Sequence, residues 1–360
     1  MVEVWLPYGD TEVPILIPEP VDIEEIKGRT LLDIKIEEMI KDQFTQLDLT
    51  PEQGQKLRMV IEPEATAKQK ELLEKIFFTA EVSWEEVRFG QESNKESFKK
   101  PIKDAHLPLT LDHDPCSENL VFVGIFRPSL VFGFTGFLTS LYKLLARKSR
   151  MEILKESIEL ETGYGKENEL HKDFAKVVDE NKLRCLSLVV DSTDRVVGVF
   201  SGRDSRPWRL SKELYMDLWE SDARLKASVI ASSGGMIWDN HFIDSLRGLY
   251  NVVLNGEDKQ RIIYLTDSSA GLEADSTLFW SALKRGRYRS VSTASIVKIR
   301  NLLREKRPRI TLLSSIPHAL TNALRIRRIG SSDRALSAIP ARERREVSLV
   351  INACETLFSR

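Results

Sequence analysis

The sequence has few of the residues that build metal sites and covalent cross-links. It contains three cysteines and five histidines in 360 residues. Cys116, Cys185 and Cys354 lie far apart and form no CxxC pair, which argues against a disulfide framework and a local zinc site. No two histidines have the HxH, HExxH or i,i+4 spacing that places two imidazoles on one ion. We therefore expect no metal site, and a reducing, cytoplasmic compartment.

Long hydrophobic runs are also missing. The most apolar stretch, residues 120–145, is interrupted by Arg127, and its uncharged part, residues 128–142, is shorter than the roughly 20 residues that a membrane-spanning helix needs. The first residues, Met1-Val2-Glu3-Val4-Trp5, lack the basic-then-apolar pattern of a secretory signal. We expect neither a membrane segment nor a secretory signal.

Neither sign of charge is in excess, because 53 Lys and Arg residues balance 54 Asp and Glu residues. The charge is nevertheless uneven along the chain. Residues 1–88 carry 20 acidic and 10 basic residues, whereas residues 281–345 carry 17 basic and 3 acidic residues. We expect the arginines of the second segment to pair with the acidic first segment. The alternative is a surface that binds nucleic acid or another protein.

The order of apolar segments predicts a two-domain α/β protein. Short apolar runs on both sides of Tyr8-Gly9-Asp10-Thr11 predict an N-terminal hairpin, and the runs at residues 183–190 and 196–201 predict a second one. The spacing of apolar residues predicts helices over residues 31–41, 66–78 and 317–327. From residue 226 onward strand patterns alternate with helix patterns, which predicts βαβ units and a mostly parallel, Rossmann-like sheet. Residues 202–207 have the composition of a linker. The expected domains are therefore residues 1–205 and 206–360, with a cleft between them.

A pair of glycines marks the first candidate ligand site. Gly234 and Gly235 follow a predicted strand and precede a predicted helix that Asp239 or Asn240 would cap. This arrangement binds anions at the carboxyl ends of strands in α/β folds, because free N–H groups and a helix dipole meet there. The alternative is a tight turn that needs glycine for its dihedral angles.

The second candidate is the glycine-spaced segment of residues 128–140. It contains Gly133, Thr135 and Gly136, but it lacks the GxxxxGK[ST] spacing of a phosphate-binding loop. Its hydroxyl residues Thr135, Thr139 and Ser140 could bind a ligand, but we favour helix capping and core packing as their role. We predict a buried loop followed by the start of a helix.

One histidine has a neighbourhood that would suit acid–base chemistry. In Asp112-His113-Asp114 the flanking carboxylates would raise the basicity of the imidazole. The alternative is a solvated histidine that stabilises a turn. The sequence contains no GxSxG elbow and no Cys/His pattern that indicates a nucleophile.

Taken in order, several segments resemble those of one family. Residues 2–9 with Ile15-Leu16-Ile17-Pro18 are similar to the opening of the nickel-dependent lactate racemase family, including its Tyr-Gly turn at Tyr8. Residues 111–124 resemble its His-Asp segment and the following strand. Residues 232–239 resemble its Gly-Gly-x-Pro-x-Asp loop. The resemblance implies a two-domain fold with an interdomain cleft.

The resemblance also implies a chemistry. The family uses a nickel pincer nucleotide attached through a lysine, with two histidines as acid and base, and its central motif reads Pro-His-x-x-x-Gly-Phe-Ser-Gly-Gly-x-Lys. In the corresponding residues 128–139, Ser129 matches the catalytic histidine and Thr139 matches the cofactor lysine. A serine without an adjacent base does not exchange protons near neutral pH as imidazole does, and threonine has no amine for the covalent link.

Further departures follow in both predicted domains. No histidine lies between His113 and His171, where the family's nickel ligand would fall, and its Thr-Arg-Pro segment has no match around Glu62-Pro63-Glu64. The substrate-holding Tyr-Gln and Lys of the second domain are matched by Ile243-Asp244 and Arg247. An aspartate facing a carboxylate substrate would repel it.

We therefore expect a diverged member of the family that keeps the two-domain cleft, lacks the racemase chemistry, carries no cofactor, and binds a small anion or nucleotide at Gly234 and Gly235. The first alternative is an active 2-hydroxy-acid racemase or epimerase with the nickel pincer nucleotide. It would need His113, His171 or His241 together with a lysine. The second is an interaction module that uses the basic segment of residues 281–345.

Overall fold

The computed structural model describes residues 2–17, 19, 21–31, 35–47, 56–79, 81–87, 89, 98–116, 120–159, 163–193, 195–239, 241–272, 275–332, 335, 339–340, 343 and 345–359, with the backbone alone at 236 and 237. The chain divides into two compact units. Unit 1 consists of residues 1–29 and 219–360, and unit 2 consists of residues 30–218. This division differs from the expected domains of residues 1–205 and 206–360.

Strands and helices are numbered along the chain. The strands are β1 (Val2–Tyr8), β2 (Thr11–Ile17), β3 (Asp22–Ile26), β4 (Leu57–Ile61), β5 (Trp84–Glu86), β6 (Lys100–Pro101), β7 (Thr110–Leu111), β8 (Leu120–Ile125), β9 (Pro128–Ser129), β10 (Gly133–Phe134), β11 (Arg184–Val190), β12 (Val196–Gly202), β13 (Glu220–Ser221), β14 (Ser228–Ser232), β15 (Arg261–Leu265), β16 (Arg309–Leu313), β17 (Arg327–Ile329), β18 (Glu346–Val350) and β19 (Leu357–Phe358). The helices are α1 (Ile36–Gln46), α2 (Ala67–Thr79), α3 (Phe137–Ser140), α4 (Arg147–Glu159), α5 (Glu169–Asn181), α6 (Arg206–Trp219), α7 (Met236–Asp239), α8 (Phe242–Asn255), α9 (Ser276–Arg285), α10 (Val291–Lys306) and α11 (His318–Ala323), with a 3₁₀ turn at Leu141–Leu144.

Unit 1 is built on a six-stranded sheet in the order β17-β16-β15-β14-β18-β3. Every neighbouring pair in this sheet is parallel, as the alternation of strands and helices predicted. Helix α8 connects β14 to β15, and α9 and α10 connect β15 to β16. The strand order changes direction between β14 and β18, which makes the carboxyl ends of these two strands a topological switch point.

The first 29 residues belong to unit 1 because they pair and pack with its sheet. Strand β3 adds to β18 in parallel register, with Asp22 opposite Glu346 and Ile26 opposite Val350. The hairpin β1–β2 forms as predicted, and its Leu6, Ile15 and Ile17 join the core with residues of β14, β15 and β18. A division of the sequence into contiguous segments cannot detect such long-range pairing.

Unit 2 contains a five-stranded sheet in the order β12-β11-β8-β4-β5. Strands β11, β8, β4 and β5 are parallel, and β12 returns antiparallel to β11 as the predicted hairpin. The expected linker at residues 202–207 is instead the end of β12 and the start of α6. Trp208 and Tyr215 of α6 pack against Phe126, with ring centroids 5.3 and 5.5 Å away, which places this helix in unit 2.

Local signals set several helix ends. Ser290 caps α10 with a capping box, Asp275 caps α9, and Gly286 ends α9 in a left-handed conformation. The sequence pattern predicted a helix over residues 31–41, whereas α1 begins at Ile36. It also predicted helix up to residue 327, where the structure has the short strand β17. Within the described part of the chain, no helix combines the length and apolarity needed to cross a membrane.

The alternating exposure of β2 gives a test of the hairpin's position. Ile15 is fully buried in the core of unit 1, whereas its neighbour Leu16 is 45% exposed. We expect Ile15→Ala to lower the free energy of unfolding by about 2–5 kcal/mol, because it removes buried methylenes and leaves a cavity. Leu16→Ala is the matched control and should change it by less than about 0.5 kcal/mol. Urea denaturation followed by fluorescence measures both. Equal losses in the two variants would contradict the packing described here.

Candidate functional site

The carboxyl edge of the unit 1 sheet gathers three polar loops. Ser232-Ser233-Gly234-Gly235 follows β14, Thr266-Asp267-Ser268 follows β15, and Ser314-Ser315 follows β16. Because parallel strands all end at the same edge, these loops lie side by side, and open α/β sheets bind their ligands at this edge. The hydroxyl groups of Ser314 and Ser315 donate to the Asp267 carbonyl, which ties the second and third loops together.

Gly234 and Gly235 form a tight turn in which the N–H of Gly234 already has an acceptor. Their φ angles are +121° and +91°, which residues other than glycine rarely adopt. The Gly234 N–H donates to Ser232 Oγ at 3.2 Å, so it does not form an open anion nest. A Cβ on Gly234 would lie 3.2 Å from the side-chain nitrogen of Asn352. These contacts favour the tight-turn alternative for Gly234.

The turn of the N-terminal hairpin lies against this loop. Ser232 donates its hydroxyl proton to the Pro7 carbonyl, and the Gly9 N–H donates to Asp239 Oδ2 at 2.9 Å. A Cβ on Gly235 would meet the Gly9 carbonyl oxygen at 3.5 Å. Tyr8 is therefore brought to the same edge as the two glycines and Asp239.

Asp239 is fully buried, and burial raises the pKa of its carboxyl group to about 8. The Gly9 N–H and the Thr266 hydroxyl favour the ionised form and oppose this increase, whereas the nearby Asp267 charge adds to it. No hydrogen-bond partner for Asp239 Oδ1 is found in the described part of the chain. At neutral pH the carboxyl group holds its proton, so it adds no negative charge to the edge.

The phenol of Tyr8 lies near the acidic residues Asp267 and Asp239 and the basic residue Arg328. Burial, then Asp267 and Asp239, raise the pKa of Tyr8 to about 12, and the positive charge of Arg328 opposes them. Arg328 donates from Nε to the Ser314 carbonyl at 2.8 Å. Tyr8 is therefore a neutral hydroxyl at physiological pH, and Arg328 supplies the positive charge nearby.

Asp244 and Arg247 are joined to each other. Arg247 Nη2 lies 3.1 Å from Asp244 Oδ1, and the guanidinium lies 5.6 Å from the centre of the Trp238 ring. Both side chains are almost fully buried in α8. The guanidinium of Arg247 neutralises the charge of Asp244. Asp244 is therefore not the isolated negative charge that was expected to repel a carboxylate substrate.

In unit 2, the hydroxyl groups of the loop at residues 128–140 bond to backbone groups of the loop itself and of the preceding strand β8. Ser129 Oγ accepts the N–H groups of Val131 and Phe132 at 3.1 and 3.0 Å, and Thr139 donates to the Gly136 carbonyl at 2.8 Å. Thr135 donates to the Ile125 carbonyl at 3.0 Å. All three residues have no exposed surface. The loop is buried and leads into helix α3, as the sequence predicted, but the N-cap residue of that helix is Gly136 and makes no side-chain cap.

Gly133 and Gly136 allow this loop to turn within the core. Their φ angles are +81° and +116°. A Cβ on Gly133 would lie 2.0 Å from the Lys166 carbonyl oxygen, a distance that no side chain tolerates. The Gly136 N–H donates to Glu62 Oε2 at 2.9 Å, which connects the loop to a buried charged pair.

That pair, Glu62 and Arg127, was not identified as a site from the sequence. Both residues are fully buried at the carboxyl ends of β4 and β8, with Arg127 Nη2 3.6 Å from Glu62 Oε1. Arg127 also donates to the Glu64 carbonyl. Burial raises the pKa of Glu62, while Arg127 opposes the shift. The sequence did contain an indication of this pair. Arg127 is the one charged residue between Leu120 and Tyr142, and a charged side chain in such an apolar stretch needs a partner when it is buried.

The histidines occupy separate environments. His171 donates from Nε2 to the Phe134 carbonyl at 2.9 Å and accepts the Asn168 N–H at Nδ1, and burial lowers its pKa to about 4. His113 packs on Phe89, with ring centroids 4.6 Å apart. Burial lowers the pKa of His113 and outweighs Asp112, so the expected gain in basicity is absent. Among the described residues, no group of three His, Cys, Asp or Glu side chains is placed to hold a metal ion.

Another histidine links two helices and was not singled out from the sequence. His106 lies between Asp173 of α5, at Nδ1, and Glu156 of α4, 3.0 Å from Nε2. Burial lowers the pKa of His106, but the hydrogen bonds that its ring donates to the two carboxylates outweigh burial and raise this pKa above the ordinary value. Lys143, the lysine nearest to Thr139 in sequence, lies 3.1 Å from Glu86, which also binds Lys70 at 2.8 Å.

The basic segment of residues 281–345 forms ion pairs within unit 1. Lys306 lies 3.4 Å from Asp258, and Glu343 pairs with Arg261. Neither of these two pairs joins the segment to residues 1–88, so the pairing of its arginines with the acidic first segment stays a prediction.

Comparisons with known proteins show the fold. No protein-family model matches the sequence, and no curated protein does either. Among solved structures, the lactate racemase apoprotein from Thermoanaerobacterium thermosaccharolyticum is similar over 100% of both chains, with a TM-score of 0.70 and 14% identity. The chain has a lactate racemase-like fold. A Thermotoga maritima protein from a structural genomics consortium is similar over 93% of this chain and 99% of its own, with a TM-score of 0.56 and 14% identity.

The lactate racemase-like fold accounts for the two α/β units and the parallel sheet of unit 1. At 14% identity it says nothing about which side chains act. The candidate residues come together in two groups. Tyr8, Gly234, Gly235 and Asp239 meet at the carboxyl edge of unit 1, whereas Ser129, Gly133, Thr135, Gly136 and Thr139 lie in one buried loop of unit 2.

Replacing Asp239 tests its protonation. Its folded-state pKa of about 8 lies above the ordinary value of 3.8, so between these pH values the folded protein holds a proton that the unfolded chain has released. The wild type therefore loses stability as the pH rises through this window, by up to about 1.4 kcal/mol per pH unit. Asp239→Asn removes this loss, so the unfolding free energy of the variant relative to wild type should increase from about pH 5 to about pH 8.

Urea denaturation at several pH values measures this difference. Asp10→Asn is the matched control, because Asp10 is an exposed carboxylate in the same hairpin turn. Its difference from wild type should stay constant with pH. A constant difference for Asp239→Asn as well would show that the carboxyl group of Asp239 is ionised at neutral pH.

Proposed function

We propose that this chain is a diverged member of the lactate racemase family that keeps the two-unit scaffold without the nickel-pincer racemase chemistry. The observation that carries the proposal is the state of Ser129 and Thr139, which match the family's catalytic histidine and cofactor lysine. Both are buried, and both hydroxyl groups serve the loop that contains them. Neither position offers a group that exchanges protons or forms a covalent link to a cofactor.

The residues present do not fit the pincer nucleotide. Thr139 has no amine, and Lys143 is held by Glu86 at 3.1 Å. His171 uses both ring nitrogens and has a pKa of about 4, so it is a poor proton acceptor at neutral pH. These contacts speak against the alternative of an active racemase that uses His171 with Lys143, and we derive no reaction step through the cofactor.

We propose that the carboxyl edge of unit 1 binds a ligand, and that this ligand is a small anion or a nucleotide. The protonated Asp239 removes one negative charge from this edge, and Arg328 supplies a positive charge beside Tyr8. Gly234 and Gly235 bring the backbone close to the edge, but Gly234 has already donated its N–H. Arg328 is therefore the group that would hold the anion.

The cofactor part of the proposal is tested on protein purified from its own host. We expect an intact mass equal to that of the 41.1 kDa sequence, with no nucleotide-sized adduct and no stoichiometric nickel. A Lys143→Arg variant is the control, because an adduct on Lys143 would disappear in it. Nickel together with an adduct on any lysine would overturn the proposal and restore the active racemase.

The ligand part is tested with inorganic phosphate and adenosine monophosphate as probes. A ligand that binds only the folded state raises its stability, by about 2.7 kcal/mol at a concentration of 100 Kd. We expect one of the probes to raise the melting temperature of the wild type and not that of Arg328→Gln. Arg325→Gln, which changes an exposed arginine three residues away, should retain the shift. The same shift in Arg328→Gln would rule out Arg328 as the anion-binding group.

A further inference from the structure

Helix α9 and most of α10 carry a run of positive charge that ends at Glu305, the one acidic residue of the two helices. Residues 276–304 contain seven basic side chains and no Asp or Glu. Six of these side chains lie at the end of α9, in the α9–α10 turn and along α10, and we call them the α9–α10 surface: Lys284, Arg285, Arg287, Arg289, Arg300 and Arg304.

The α9–α10 surface is accessible and electrostatically uncompensated. Arg300 is half-buried and the other five residues are exposed. Within the described part of the chain, none of the six lies within 4 Å of a carboxylate, although Lys306 and Arg261 nearby each have an acidic partner. Uncompensated positive charge lowers the stability of the folded protein unless a partner neutralises it.

The six cations form one surface because α10 folds back onto the end of α9. Arg300 Nη1 donates to the Ala282 carbonyl at 3.3 Å, and a Cβ on Gly286 would lie 2.8 Å from the same nitrogen. Arg304 lies one helical turn beyond Arg300 on the same side of α10. Burial and the charge of Arg304 lower the pKa of Arg300, which is consistent with close spacing of the two guanidinium groups.

Helix capping accounts for only part of this charge. Lys284 and Arg285 lie in the last turn of α9, and Arg300 binds one of its terminal carbonyls, so these three interact favourably with the helix dipole. Arg304 lies in the last turn of α10 and interacts favourably with the dipole of that helix. Arg287 and Arg289 lie outside both helices, in the turn, so the helix dipoles do not account for their charges.

The side chains of this surface indicate the chemistry of its partner. Five of the six cations are arginines, whose planar groups bind phosphate oxygens in pairs. Trp280 and Tyr288 lie among them, both half-buried, with the Lys284 ammonium 5.0 Å from the centre of the Trp280 ring. Arginine with interspersed aromatic rings is the composition that binds phosphate backbones and stacks bases. An amphipathic membrane-binding face would expose more apolar surface than Leu278, which is 39% exposed.

We propose that the α9–α10 surface binds the phosphodiester backbone of a single-stranded nucleic acid. This activity is separate from ligand binding at the carboxyl edge, because none of its residues belongs to that site. Binding is electrostatic, so it weakens steeply as the salt concentration rises. The surface reads no particular sequence, since its contacts are with phosphates and base faces.

The test measures fluorescence anisotropy of a labelled oligouridylate of about 20 nucleotides, and of the matching deoxy strand, between about 50 and 200 mM NaCl. We expect the triple variant Arg287→Gln, Arg289→Gln, Arg304→Gln to lose at least about tenfold in affinity. The slope of log K against log salt should decrease by about 2, since each lost contact to a single strand removes about 0.7. Thermal unfolding confirms that the variant is folded.

The matched control has the same change in net charge elsewhere: Arg147→Gln, Arg209→Gln, Arg224→Gln, all exposed arginines outside the surface. It should bind both strands as the wild type does. Equal losses in the two triple variants would overturn the proposal in favour of unspecific attraction. Tighter binding of phosphatidylserine vesicles or of polyglutamate at the same salt would also overturn it, because the surface would then serve a membrane or an acidic protein.

Discussion

The structure depends on how each unit buries charge at the carboxyl edge of its parallel sheet. Parallel pairing brings the loops after several strands to one edge, and these loops carry polar side chains that the fold covers. In unit 2 the buried carboxylate of Glu62 is paired with Arg127, 3.6 Å away, and accepts the Gly136 N–H. In unit 1 the buried carboxyl group of Asp239 has a pKa of about 8, so it is neutralised by a proton, and it accepts the Gly9 N–H. The first interaction holds the loop at residues 128–140 in place, and the second holds the turn of the hairpin β1–β2.

The charged pair of unit 2 fixes the position of the buried loop at residues 128–140. This loop reaches Glu62 through Gly136 and passes through the core, so its hydroxyl groups need partners among nearby backbone groups. Ser129 and Thr139 find them in adjacent backbone groups. Imidazole and ammonium groups at the same positions would bring charge or bulk into a region that has no exposed surface.

The sequence predicted most of what depends on local pattern. It predicted the N-terminal hairpin, the parallel sheet of unit 1, the hairpin β11–β12 and the buried loop at residues 128–140, because each has a period or a turn signal of its own. It did not predict the position of β3, since Asp22–Ile26 is a short edge strand whose partner β18 lies more than 300 residues away. The charged pair Glu62 and Arg127 was missed for the same reason: the two residues meet only through strand pairing.

Unit 2 is continuous in sequence, whereas unit 1 is assembled from both ends of the chain. During synthesis the hairpin β1–β2 and strand β3 leave the ribosome before the six-stranded sheet can form, because β18, the partner of β3, follows about 300 residues later, a delay on the order of tens of seconds. Until the strands of that sheet have emerged, Leu6, Ile15 and Ile17 lack their core partners on β14, β15 and β18. The chain therefore has to keep its first segment out of non-native contacts while the inserted unit forms, a kinetic constraint that contiguous two-domain proteins do not have.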